Sequence, residues 1–143
     1  DDDKAYTETM TSAQQRYPDH AEFYYQHGLA LQQQEQYEQA LAQFTQATNA
    51  TIDDEEAHFK LSALYQIGRN AVFSKQSVQQ GIEALLDYVE AVPADTGLPS
   101  EQWAHFRLAQ LYRLTSATDA VKQHLKLAAN TDDKQLRDNI DDF

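Results

Sequence analysis

Ala57-His58-Phe59-Lys60-Leu61-Ser62-Ala63-Leu64-Tyr65-Gln66-Ile67 recurs as Ala104-His105-Phe106-Arg107-Leu108-Ala109-Gln110-Leu111-Tyr112-Arg113-Leu114. The two copies stand 47 residues apart; six of eleven positions are identical, and Lys60/Arg107 and Ile67/Leu114 are conservative exchanges. A looser copy, Phe23-Tyr24-Tyr25-Gln26-His27-Gly28-Leu29-Ala30-Leu31, precedes the first by 34 residues. Self-similarity at such a period marks a repeat architecture. Within each copy the small and large apolar residues fall three and four apart, on one face of a helix. After the earliest copy, Tyr37, Ala40, Leu41, Phe44 and Ala47 keep the same spacing and predict a second amphipathic helix. The polar run Gln32-Gln33-Gln34-Glu35-Gln36 between them holds the turn. The unit is therefore helix, short turn, antiparallel helix.

At these positions the chain resembles the tetratricopeptide repeat, a helix pair of about 34 residues. The resemblance places a small residue where the two helices cross closely, here Gly28, Ser62 and Ala109, and a large one three places later, at Leu31, Tyr65 and Tyr112. Tyr37, Ala40, Phe44 and Ala47 match the family's second helix, and Pro18 and Pro93 its closing proline. It implies an all-α fold, an antiparallel helix-hairpin solenoid of about three repeats. The expected units are 21–54, a lengthened 55–95 and 102–130, followed by a short C-terminal capping helix in 131–143. Pro18 lies 34 residues before Ile52. Residues 5–17 are accordingly expected to be the second half of a preceding repeat, as in a fragment of a longer array, or else an N-terminal capping helix. A HEAT-type pairing has a period nearer 47, but the 34-residue first interval argues against it.

The 47-residue interval carries 13 extra residues, seven before the helix at Gly81–Val92 and six in Pro93–Gln102. Seven residues are close to two helical turns and keep each face in register. Apolar spacing continues through Leu64, Ile67, Gly68, Ala71 and Val72, which predicts a helix running to about Phe73. Gly68 then sits in a helix interior at a cost of about 1 kcal/mol relative to Ala, which points to close packing there. Ser77 and Ser100 are the expected N-caps of the next two helices, and Thr131 or Asp132 that of a polar, acidic last helix facing water.

Composition narrows the function. The formal charge is −12, from 23 acidic against 11 basic residues, which argues against nucleic acid and anionic membranes. The charge reads as a solubility device, or as steering for a basic partner. No Cys is present, which removes disulfides and thiolate chemistry and leaves the redox compartment open. No apolar run is long enough for membrane insertion. A lengthened repeat resembles those of some bacterial exported repeat proteins, so the bacterial periplasm is slightly favoured over the cytoplasm.

In the tetratricopeptide family the first helices line a concave groove that takes peptides. Carried over by position, the groove residues are Glu22, Tyr25 and Gln32, then Phe59, Lys60 and Gln66, then Trp103, Phe106, Arg107, Gln110 and Arg113. Tyr25, Phe59 and Phe106 share one repeat position and are expected to form an aromatic ladder; Lys60 and Arg107 share another. Such a face suits a peptide with apolar groups and a carboxylate. The family's Lys/Asn/Arg grip on a C-terminal carboxylate is not matched, because Gln or apolar residues replace its Asn positions. The competing expectation is that the aromatics pack between helices and the cations pair with Glu55, Glu56 or Glu101.

Other chemistry finds little footing. Glu55-Glu56-Ala57-His58 contains one Glu-x-x-His, half of a di-iron pattern, but a surface helix start explains Asp53 to Glu56 better, because acids there favour the helix dipole. His20, His27 and His124 show no ligand spacing, and Asp132-Asp133 and Asp141-Asp142 lack a calcium-loop pattern. No phosphate loop, nucleophile elbow or zinc-protease motif occurs. The expectation is a non-catalytic protein- or peptide-binding scaffold without cofactor or metal. The alternative is a homo-oligomer module that self-associates through solenoid ends or the 69–77 insertion, with Val72 and Phe73 as its apolar patch.

Overall fold

A computed structural model of the chain describes residues 2–51, 57–94 and 97–143, and among them every regular element is helical. The helices are α1 (Asp2–Arg16), α2 (Ala21–Gln33), α3 (Tyr37–Asn49), α4 (Ala57–Ser74), α5 (Val78–Ala91), α6 (Glu101–Leu114), α7 (Thr118–Ala128) and α8 (Lys134–Asp141). Each packs on its neighbour in sequence, and α2 also meets α4, as α4 meets α6. Among the described residues α3 and α5, or α5 and α7, make no comparable contact. The chain is thus a row of helix hairpins in two layers, the α2–α4–α6 layer being the more closely knit. No described helix is long and apolar enough to cross a membrane.

Two of the turns are copies of each other. Glu35 and Ser116 both adopt the left-handed conformation, with φ of 61° and 60°. Behind them Gln36 N donates to Leu31 O (2.9 Å) and Ala117 N to Tyr112 O (3.1 Å), a helix-ending bond that spans five residues. These turns lie 81 residues apart, the two sequence intervals of 34 and 47 combined, so the first and third hairpins share one backbone design. The α4–α5 turn differs. Ser77 precedes α5 but is itself left-handed (φ 54°) and makes no capping bond, contrary to the expected N-cap. Ser74 serves the turn instead: its Oγ accepts from Gln76 N at 3.1 Å. Ser100 does cap α6, accepting from Trp103 N at 3.2 Å. For α8 the cap is Asp133, one residue beyond the expected Thr131 or Asp132, and its carboxylate accepts from Leu136 N.

Helix α4 spans 18 residues and ends at Ser74, one residue past the expected Phe73. Its extension is possible because glycine removes side-chain bulk where α4 and α5 meet. A Cβ on Gly68 would fall 2.2 Å from Leu85 Cγ, and one on Gly81 would fall 2.7 Å from Ala71 Cβ. Leu85 is fully buried and cannot swing away. At the first hairpin Gly28 plays the matching role, since its Cβ would lie 2.5 Å from the buried Phe44 ring. Ser62 and Ala109, the equivalent small residues, are buried as well.

The core forms three linked clusters along the row. The last, Phe106, Ala128 and Leu136, corrects the expectation that the terminal helix is polar and water-facing. Its outer face is exposed, but Leu136 is fully buried and Ile140 and Phe143 pack beside it. Spacings of four and three residues put these three on one stripe, which docks onto Trp103, Phe106 and Leu125. The Asp53–Glu56 stretch, read above as a helix start or half metal motif, lies outside the described residues.

Gly68→Ala should lower unfolding stability by about 1–3 kcal/mol through overpacking, even though Ala gains about 1 kcal/mol in helix propensity. Urea midpoints will read this. In a Leu85→Ala background the same substitution should turn neutral or stabilising, and a persistent loss there would disprove the packing account.

Candidate functional site

The sequence places eleven residues on the inner face, and the structure divides them into three groups. Tyr25 and Phe59 stand side by side with ring centroids 5.8 Å apart, as adjacent rungs on α2 and α4. Burial raises the Tyr25 hydroxyl pKa, which hydrogen bonds with Ser62 and Gln66 and the nearby Arg69 charge oppose. Lys60 is half-buried on the same helix. The ladder does not extend to Phe106. That ring is 2% exposed and packs against Trp103 at 5.9 Å and Phe143 at 6.1 Å.

The third-hairpin group is therefore covered by the chain itself. Trp103 Nε1 donates to Asp133 Oδ2 at 2.9 Å, and Arg113 Nη1 to the Phe143 carbonyl at 2.9 Å. The Arg113 guanidinium also lies 3.8 Å from the Phe143 ring centroid. The bonds from Trp103 and then Leu136 N hold the Asp133 carboxyl below its ordinary pKa. Helix α8 takes up the side chains expected to meet a ligand at Phe106 and Arg113. The reason is its apolar stripe of Leu136, Ile140 and Phe143, which finds its burial there.

The middle group holds most of the polar chemistry. Arg69, on the extra turns of α4, donates from Nη1 to Gln32 Oε1 (3.0 Å) and Gln66 Oε1 (3.4 Å). Gln32 Nε2 donates to Asn70 Oδ1 (3.4 Å), and Asn70 Nδ2 to the Tyr37 carbonyl (2.9 Å). Gln32 and Asn70 are 6% and 3% exposed, so a buried amide relay from α3 through α4 and α2 fixes the guanidinium. Arg107 is held in a parallel way, with Nε donating to Tyr65 Oη (3.3 Å) and Nη1 to Gln110 Oε1 (3.1 Å).

Both cations lie by the Phe73 ring, Arg69 at 4.6 Å and Arg107 at 5.8 Å from its centroid, and Arg107 is also 5.5 Å from Trp103. Burial, then the Arg107 charge, depresses the Arg69 pKa. Arginine stays protonated through such a shift. The expected pairing of groove cations with Glu101 does not occur at Arg107, whose hydrogen bonds run to Tyr65 and Gln110; Glu55 and Glu56 lie outside the described residues. A cleft of about 490 Å³ borders Arg107, lined by Tyr65, Leu98, Pro99, Trp103 and Asp133. A hollow of about 590 Å³ between α1 and α2 is lined by Asp2, Asp3, Tyr6 and Gln26 and, among the described residues, offers no cation.

Arg69, Phe73 and Tyr65 are the members that family positions alone leave out. Their signal was present: Phe59, Ser62, Gln66, Arg69 and Phe73 follow spacings of three and four along one stripe of the long helix. Of the expected Val72 and Phe73 patch, only Phe73 is exposed. Phe73 is 41% exposed beneath its two arginines, while Val72 is half-buried against the second core cluster.

A second cluster sits between α6 and α7. His105 Nδ1 and His124 Nδ1 are 2.9 Å apart, and Tyr112 stacks on His124 with centroids 5.3 Å apart. Among the described residues no three metal-ligating side chains come together, here or elsewhere. Burial lowers the pKa of both imidazoles; Glu101 partly opposes this at His105, and His105 adds to it at His124. His27, beside Gln14, is lowered by burial too. Compared with known proteins, the chain matches no family model and no curated sequence.

The depressed imidazoles set a pH dependence. The folded chain binds fewer protons than the unfolded one below the ordinary imidazole pKa of about 6.5, so stability is whole above that pH and declines as pH falls through it. Urea midpoints should drop between pH 7.5 and 5, with a shallower slope in His124→Gln. An equal slope in that variant would remove the His pair as the cause. Separately, Asn70→Ala should cost about 1–3 kcal/mol by orphaning the relay, measurable in the same assay.

Proposed function

We propose that the chain is a tetratricopeptide-like helical scaffold that binds a peptide along the inner helices α2, α4 and α6 and catalyses no reaction. One observation carries the reading. In a chain with 23 acidic and 11 basic residues, two arginines are gathered with aromatic rings on one face and are anchored by neutral amides and a phenol. Tyr25 and Phe59 add apolar contact area beside them, and rings of this kind are frequent anchors at interfaces. A peptide with apolar side chains for Tyr25 and Phe59 and acidic groups for the arginines suits this surface. Helix α8 shortens the groove, so the peptide's contacts run from α2 across α4 to Arg107, without Phe106 and Arg113.

A displayed library of random peptides, selected on the purified chain, tests this. Enriched peptides should combine aromatic or aliphatic residues with Asp or Glu. Their affinity should fall at least tenfold, about 1.4 kcal/mol, in Phe59→Ala, with the helical circular dichroism unchanged. Enrichment of no sequence class, or affinities indifferent to Phe59→Ala, would overturn the groove reading.

A further inference from the structure

The hydrogen-bond inventory around the two arginines runs almost wholly one way. Arg69 has committed only Nη1 to protein acceptors, and Arg107 only Nε and Nη1. The remaining N–H groups of both forks have no acceptor among the described residues. Gln110 gives its oxygen to Arg107, which leaves its NH2 to donate. Tyr65 Oη accepts from Arg107 Nε, which leaves its proton to donate. The Asp133 carboxylate also lines the adjoining cleft, but Trp103 Nε1 and Leu136 N occupy it. Neither guanidinium has a carboxylate within ion-pairing distance among the described residues.

Holding two like charges around one ring is unfavourable, and here the cost is borne by a built support. The relay Tyr37–Asn70–Gln32 fixes Arg69, and Tyr65 and Gln110 fix Arg107, each with neutral oxygens that orient a guanidinium without discharging it. Two guanidiniums oriented by neutral acceptors suit a counter-charge of about two units composed of acceptor oxygens only. A single carboxylate supplies one charge and satisfies one fork. A dianion satisfies both.

We infer that Arg69 and Arg107, gathered at the Phe73 ring, with Tyr65 and Gln110 as auxiliary donors, form a binding site for a dianionic oxyanion presented by a peptide. Two sources share that chemistry: a phosphoryl group on a side chain, or two adjacent carboxylates. The inference deepens the groove reading by naming what the peptide brings to the α4–α6 end. It also accounts for the extra two turns of α4, which carry both Arg69 and Phe73.

The test follows the arginine Nε–Hε resonances of the full chain by NMR at constant ionic strength. The probes are N-acetyl-phosphoserine amide, N-acetyl-Asp-Asp amide and, as the uncharged control, N-acetyl-serine amide. Arg69 and Arg107 should shift saturably with one or both dianions, at least tenfold more tightly than with acetate. Arg113, engaged by Phe143, is the internal reference and should stay in place. Arg69→Gln and Arg107→Gln should each abolish the shift of the remaining arginine while the amide spectrum stays that of the folded chain. Preference for phosphoserine assigns a phosphoryl ligand, and preference for Asp-Asp assigns paired carboxylates. Shifts no larger than those of Arg113, equal shifts with acetate, or survival of the signal in either variant would overturn the site. Because the probes are too small to span the groove, failure here leaves the Phe59-dependent peptide selection to stand or fall separately.

Discussion

The closeness of α4 to α5 is the constraint on which the molecule depends. Two α-helices approach this closely only where one of them lacks a side chain, and Gly68 and Gly81 provide that on both sides of the contact. Leu85 fills the space a side chain at 68 would take, and Ala71 closes on Gly81. A glycine inside a helix weakens it locally, yet without these two the extended end of α4 would be pushed away from its partner. The extra turns would then have no core beneath them, and the arginine and phenylalanine they carry would lose their platform.

Charge distribution follows a similar logic of local cost offset by local design. The chain is strongly acidic, yet no carboxylate pairs with Arg69 among the described residues. The buried amides of Gln32 and Asn70 instead surround Arg69 with neutral dipoles, and every buried polar side-chain atom among the described residues finds a partner. A buried polar network of this kind is stable only when complete. It ties α2, α3 and α4 together, so packing between the first two hairpins and the orientation of the guanidinium are one structural fact.

Much of this was legible in the sequence. The repeated segment gave the helix pairs, and the small residues at 28, 62 and 109 gave their buried crossings. The seven-residue excess gave the long α4, because apolar spacing of three and four runs through it unbroken. What escaped had physical causes. Ser77 reads as a cap, but it is left-handed and makes no capping bond, and propensity does not encode that dihedral. Residues 131–143 read as polar because five of the thirteen are Asp. Leu136 and Ile140 in the helix and Phe143 just beyond it are few, but they share one stripe, and one stripe is enough to dock an eight-residue helix. Positions carried over from the tetratricopeptide resemblance stop at Gln66 and leave out Arg69, although the helical stripe itself continues.

The seven-residue length of the α4 extension has a geometric corollary. Seven residues advance a helix by about 10.5 Å while turning its face by only about 20°. The insertion therefore acts as a ruler: it carries a side chain outward by most of a helix diameter without steering it off the inner layer. An excess of five residues would have swung the same arginine to the opposite flank. A repeat protein can in this way lengthen its reach by whole double turns and keep every neighbouring hairpin in place, which makes α4 the natural element in which to add or subtract such steps.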